Sequence, residues 1–134
     1  GFSKNYIDLD LDLIEQLFRS SITSFVKISR AWKIKPILMT QGNRIDHNLE
    51  YFRKWAIRYQ RSDMTPRDFS DLYKRMNEII REVAIQENVT LIDLDSQIPK
   101  TNEFLYDTIH LNEAGSILMG ELVSKKLVEV IQSQ

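Results

Sequence analysis

The side chains that could do chemistry together are Asp107 and His110, set three residues apart in Tyr106-Asp107-Thr108-Ile109-His110-Leu111-Asn112-Glu113-Ala114-Gly115. An imidazole can take a proton from a hydroxyl nucleophile, and a neighbouring carboxylate can hold its tautomer and stabilise the imidazolium. A tight turn brings side chains at this spacing into contact, much as a helix does. By itself the pattern is weak, because an Asp and a His ahead of a helix often form only a capped turn. Its meaning depends on the elements that carry it.

Tyr6 to Leu13 alternates apolar and acidic residues, as an extended lead-in would. Asp12 with Glu15 has the form of a capping box, and Ile14, Leu17, Phe18, Ile22, Phe25, Ile28 and Trp32 recur at helical spacing. A helix is predicted from Asp12 to Trp32. Lys35 to Thr40 reads as a short buried strand whose start tolerates Pro36, ended by the loop Gln41-Gly42-Asn43-Arg44. A short helix rich in aromatics and arginines is expected over 48–59, and Ser62-Asp63-Met64-Thr65-Pro66 breaks it. Thr65 is then an N-cap with Pro66 at the first helical position. Phe69, Leu72, Tyr73, Met76, Ile80, Val83 and Ala84 mark one apolar face up to Glu87. Val89 to Leu94 is a second buried strand. Asn112 caps a last helix, with Met119, Leu122, Val123, Leu127, Val130 and Ile131 facing inward.

This order predicts parallel strands joined by right-handed crossovers and flanked by helices, a flavodoxin-like α/β layered fold in one domain over 1–134. Two strands do not complete a doubly covered sheet. The fold is therefore expected to be incomplete, with an open edge that a missing N-terminal segment or a second copy would cover. Open α/β sheets bind ligands outside the carboxyl ends of their strands, where the Asp107–His110 loop should sit.

The run Asp107-Thr108-Ile109-His110-Leu111-Asn112 followed by Gly115 resembles the last sequence block of SGNH/GDSL-type hydrolases, the serine esterases and lipase-like enzymes. Upstream, Lys35 to Thr40, Tyr73 to Ala84 and Val89 to Leu94 are similar to that family's fourth strand, penultimate helix and fifth strand. The resemblance runs from residue 12 to the end. It implies that the chain is the C-terminal portion of such a domain, with Asp107 and His110 as its catalytic pair. It further implies a small carboxylic ester as substrate, cleaved through a serine acyl-enzyme without cofactor or metal. The family's Gly-Asp-Ser block with its nucleophile, and the glycine and asparagine of the oxyanion hole, are not recognisable here. The parent is thus expected to be an esterase and this chain alone inactive. Gly1-Phe2-Ser3 stands where a degenerate third block would, with Ser3 in the asparagine position; a glycine left by cloning explains it as well. Ser3 is not a nucleophile candidate under either reading.

The competing reading is a non-catalytic α/β module that uses the same loop ends for binding or assembly, since fold does not fix function. The chain has no cysteine, which excludes disulfides, thiolate zinc sites and cysteine nucleophiles, and its two histidines argue against a His-rich metal centre. A formal net charge of -1 with dispersed Lys and Arg marks no nucleic-acid surface. No apolar run approaches the ~20 residues that span a bilayer. Asp46 and His47 are adjacent, point apart, and read as an exposed pair. Arg44, at a strand's carboxyl end, is a possible substrate contact, with a surface arginine the preferred reading. Asp8, Asp10 and Asp12 suggest a calcium loop, but Leu13 stands where glycine is needed and Arg19 where glutamate is needed. Tyr51, Phe52, Trp55 and Tyr59 with Arg53, Arg58 and Arg61 are read as core or lid packing ahead of a stacking platform.

Overall fold

The computed structural model describes residues 10–59 and 64–133. The lead-in over Tyr6 to Leu9, Gly1-Phe2-Ser3, Asp8, Arg61 and Ser62-Asp63 lie outside the described residues, as does the Tyr59 side chain. The elements are α1 (Leu11–Ala31), β1 (Ile37–Met39), α2 (Glu50–Tyr59), α3 (Pro66–Gln86), β2 (Thr90–Ile92), α4 (Leu94–Gln97) and α5 (Glu113–Gln132). The protein is mixed α/β and mostly helical. Strands β1 and β2 pair in parallel, with Ile37 opposite Thr90, Leu38 opposite Leu91 and Met39 opposite Ile92.

Helix starts follow the capping residues. Thr65 and Asn112 cap α3 and α5 as their sequences predict, accepting from the N–H groups of Asp68 and Gly115. Helix α1 differs. Its N-cap is Asp10, which accepts from the Leu13 N–H at 2.9 Å, not Asp12. Asp12 lies in the first turn, where its charge complements the helix dipole, and Glu15 instead receives Arg75 Nε at 2.8 Å.

The helices that feed the two strands stop by the same device, without glycine. Lys33 (φ 59°) and Asn88 (φ 49°) adopt left-handed backbone. The next N–H then reaches back five residues, Ile34 to Ser29 O at 2.9 Å and Val89 to Ala84 O at 2.8 Å. Orphan carbonyls are satisfied and the chain turns into the strand.

Alternation in the strands divides the core. Leu38 and Leu91 pack with Val26, Ile79, Val83 and Ala84, joined by Phe18 and Ile22 of α1. Ile37 and Ile92 pack with Leu94, Ile98 and Leu105, joined by Leu118, Met119, Leu122 and Val123 of α5. Several residues expected inside are exposed. Leu17, Phe25, Ile28 and Trp32 lie outside the stripe that α1 buries against α3, Trp32 being 73% exposed. The apolar arc of α1 is wider than one neighbouring helix can cover. On α5, Leu127 and Ile131 are exposed. A 20-residue helix is about 30 Å long, whereas a three-residue strand spans about 10 Å, so the last turns outrun β2.

Candidate active site

The turn that carries Asp107 and His110 is closed like a hairpin. Leu105 and Leu111 form an antiparallel bridge, the Tyr106 N–H donates to His110 O at 3.1 Å, and the Asn112 N–H donates to Phe104 O at 3.0 Å. At the tip, Asp107 Oδ1 accepts from the N–H groups of Ile109 (2.9 Å) and His110 (2.8 Å). That leaves Oδ2 for the imidazole, and His110 Nδ1 lies 2.7 Å from it. A carboxylate only accepts, so Nδ1 carries the proton in neutral His110 and Nε2 presents a lone pair. The Tyr106 ring stacks on the imidazole at 5.5 Å and 15°.

Burial pushes the Asp107 carboxyl up, but the two backbone N–H groups and the His110 ring outweigh it and hold the carboxyl below its ordinary range. The anion is therefore in place at neutral pH. The His110 side chain is 59% exposed, while Asp107 beneath it is 28% exposed. The cleft between β2 and α5, lined by Leu91, Leu122 and Lys125 among others, includes neither residue.

Asn112 and Gly115 support the turn. Asn112 Oδ1 accepts the Gly115 N–H at 2.9 Å, and its Nδ2 donates to the carbonyls of Asn102 and Glu103. Gly115 is buried, and a Cβ there would stand 2.0 Å from Phe104 O. The sequence pattern after His110 is thus scaffold for the turn.

The exit of β1 abuts the turn. The Arg44 N–H donates to Thr108 O at 2.7 Å. Arg44 is half-buried and not a surface arginine, because its guanidinium packs over the Tyr51 ring. Asn77 of α3 clamps Gln41 on both backbone groups at 3.0 Å. Thr40 Oγ1 donates to Asp93 Oδ1 at 2.7 Å and accepts the Asp95 N–H at 3.0 Å. Arg81 binds both Asp93 and Asp95, and Lys100 bridges Asp95 Oδ1 and Asn43 O. Sequence reasoning passed over Asn77, Arg81 and Lys100. The available signal was Asn77 and Arg81, one helical turn apart beside the apolar face of α3.

This network predicts an acid response. Burial pushes the Asp93 carboxyl up, but hydrogen bonds from Arg81 and Thr40 more than reverse it and hold it at about 2. The folded pKa lies below the unfolded one. The stabilisation is complete above about pH 4 and is lost as pH falls through the folded value, a contribution of about 1–2 kcal/mol after solvent screening. Urea unfolding at falling pH should show this loss, and Asp93→Asn should flatten the acid limb.

The remaining candidates separate from the site. Asp46 and His47 take separate partners and are half-buried, not exposed: Asp46 Oδ1 accepts from Asn48, and the His47 N–H donates to Ser70 Oγ at 3.2 Å. Ser70 is fully buried and donates to Ile45 O at 3.4 Å, so this second imidazole and hydroxyl join a loop to α3. Phe52 and Trp55 pack with Phe69 and Tyr73 in a core cluster that also takes Ile109 from the turn. Among the described residues no His, Asp and Glu group is placed to hold a metal, and no helix is long and apolar enough to cross a membrane. In comparisons with known proteins, the chain matches no family model, no curated protein and no solved structure.

Proposed function

We propose that Asp107 and His110 are the orienter and general base of an SGNH/GDSL-type esterase, and that the fold around them is the C-terminal portion of that family's flavodoxin-like layered domain. The serine nucleophile would come from a segment outside these 134 residues. One observation carries the reading: the 2.7 Å bond between Asp107 Oδ2 and His110 Nδ1, which leaves Nε2 of the half-exposed imidazole as a proton acceptor.

In this reading the serine O–H gives its proton to Nε2 as the oxygen attacks the ester carbonyl. Asp107 stabilises the imidazolium that forms, which returns the proton to the departing alcohol. Water, deprotonated by the same imidazole, then releases the acid and restores the serine. Oxyanion donors, each worth about 3 kcal/mol, would belong to the same outside segment. The outer edge of β1 has no partner strand among the described residues, and Met39 at that edge is 47% exposed. Such an edge suits a further strand carrying the nucleophile, or a second copy. The substrate class is a small ester. By itself the chain is inactive, because the base has nothing to activate.

The competing reading, a non-catalytic binding or assembly module, is favoured by one fact: no serine hydroxyl among the described residues hydrogen-bonds to His110. A serine-directed fluorophosphonate separates the two. The full-length polypeptide should take up one phosphonate in wild type and lose that reactivity in His110→Ala; a module takes up none.

A further inference from the structure

We propose that Arg44 is the positioning residue that holds the Asp107–His110 turn at the carboxyl end of β1, an inference that rests on reading the turn as catalytic. Its backbone N–H donates to Thr108 O at 2.7 Å, between the two members of the pair. Its Nη1 donates to Leu105 O at 3.3 Å, at the base of the turn. The guanidinium lies 4.4 Å from the centroid of the Tyr51 ring, which seats it against α2. One residue therefore grips the turn at tip and base and refers both to the exit of β1.

The bonds inside the turn assemble the pair without Arg44. Asp107 Oδ1 holds the amides of Ile109 and His110, and the Tyr106 N–H holds His110 O. These local bonds fix the acid against the imidazole. They do not fix where Nε2 stands relative to the sheet, and so to a nucleophile at the end of another strand. Arg44 supplies that reference from a loop that is itself held, since Asn77 clamps Gln41, Asn43 Oδ1 accepts the Ile45 N–H, and Lys100 donates to Asn43 O. Arg44 Nε is sealed from solvent and reaches no acceptor among the described residues. An apolar side chain would fill this place without that penalty and would keep the backbone bond to Thr108 O, but it would lose the grip on Leu105 O at the base of the turn.

The test combines kinetics with hydrogen exchange on the full-length polypeptide. A misplacement of about 1 Å costs roughly 100-fold in rate, so Arg44→Ala should lower kcat on p-nitrophenyl acetate by about that factor with KM changed less than about twofold. Arg44→Lys keeps one donor but loses the planar stack, and should recover about tenfold of the loss. In Arg44→Ala the amides of Tyr106 and Asn112 should exchange at least about tenfold faster, while those of residues 79–84 in α3 keep the wild-type rate. Unchanged exchange in the turn, wild-type kcat, or faster exchange throughout α3 would each overturn the proposal. Should wild type show no turnover, the catalytic reading of the turn falls, and the exchange result alone decides whether Arg44 anchors it.

Discussion

Asp107→Asn is expected to lower kcat for p-nitrophenyl acetate in the full-length polypeptide by about 10³–10⁴-fold while leaving the fold unchanged. The substitution is nearly isosteric, and one oxygen remains to accept the N–H groups of Ile109 and His110, now bound to Asp107 Oδ1 at 2.9 and 2.8 Å. The position of Oδ2 then carries an amide NH₂. That group donates, so it cannot accept the Nδ1 proton of His110, which lies 2.7 Å away. The imidazole is driven to the opposite tautomer, with the proton on Nε2, and a protonated Nε2 cannot take a proton from serine. The lost anion also removes the stabilisation of the imidazolium. Steady-state kinetics beside circular dichroism would check this, and a loss smaller than about tenfold would remove Asp107 from the orienting role.

Gly115→Ala should destabilise the protein by about 3 kcal/mol or more. The new Cβ would stand 2.0 Å from Phe104 O and 3.1 Å from Leu111 Cδ2. A backbone carbonyl cannot swing aside as a flexible side chain can, so α5 or the 104–112 hairpin has to move. Either movement strains the Asn112 cap, whose Oδ1 holds the Gly115 N–H, a bond worth about 1 kcal/mol. Alanine's better helix propensity returns at most about 1 kcal/mol, so the clash decides the sign. Gly120 is the control. It lies in the same helix, and a Cβ there meets nothing within 4 Å. Gly120→Ala should therefore stabilise by about 0.5–1 kcal/mol. Urea denaturation of the two variants would show opposite shifts in midpoint.

The contrast between those glycines shows where sequence pattern is informative and where it stops. Asn112 and Thr65 were legible as caps because their partners lie three residues away in the chain. Asp107 and His110 were legible for the same reason, being one local turn. The ends of α1 and α3 were legible too, at Trp32 and Glu87, but the device that makes them was not, because Lys33 and Asn88 take left-handed backbone without the glycine that usually announces it. Helix α4 was missed because its four residues are too few to show a period. The buried faces of α1 and α5 are narrower than their apolar periodicity, since periodicity reports which residues are apolar and not how far the neighbouring element extends. Arg44 was legible as lying at the carboxyl end of a strand, but its preferred reading as a surface arginine does not hold, since it is half-buried over Tyr51. Its contacts are with Leu105, Thr108 and Tyr51, and the first two lie more than sixty positions along the chain, beyond the reach of local pattern.

Whether His110 serves a serine is settled most directly by locating the phosphonate adduct. The full-length polypeptide, treated with a fluorophosphonate and digested, should carry a single adduct on a serine outside residues 1–134, at a yield that collapses in His110→Ala. No adduct, or an adduct formed equally well in His110→Ala, would contradict the hydrolase and leave a non-catalytic module built on the same turn.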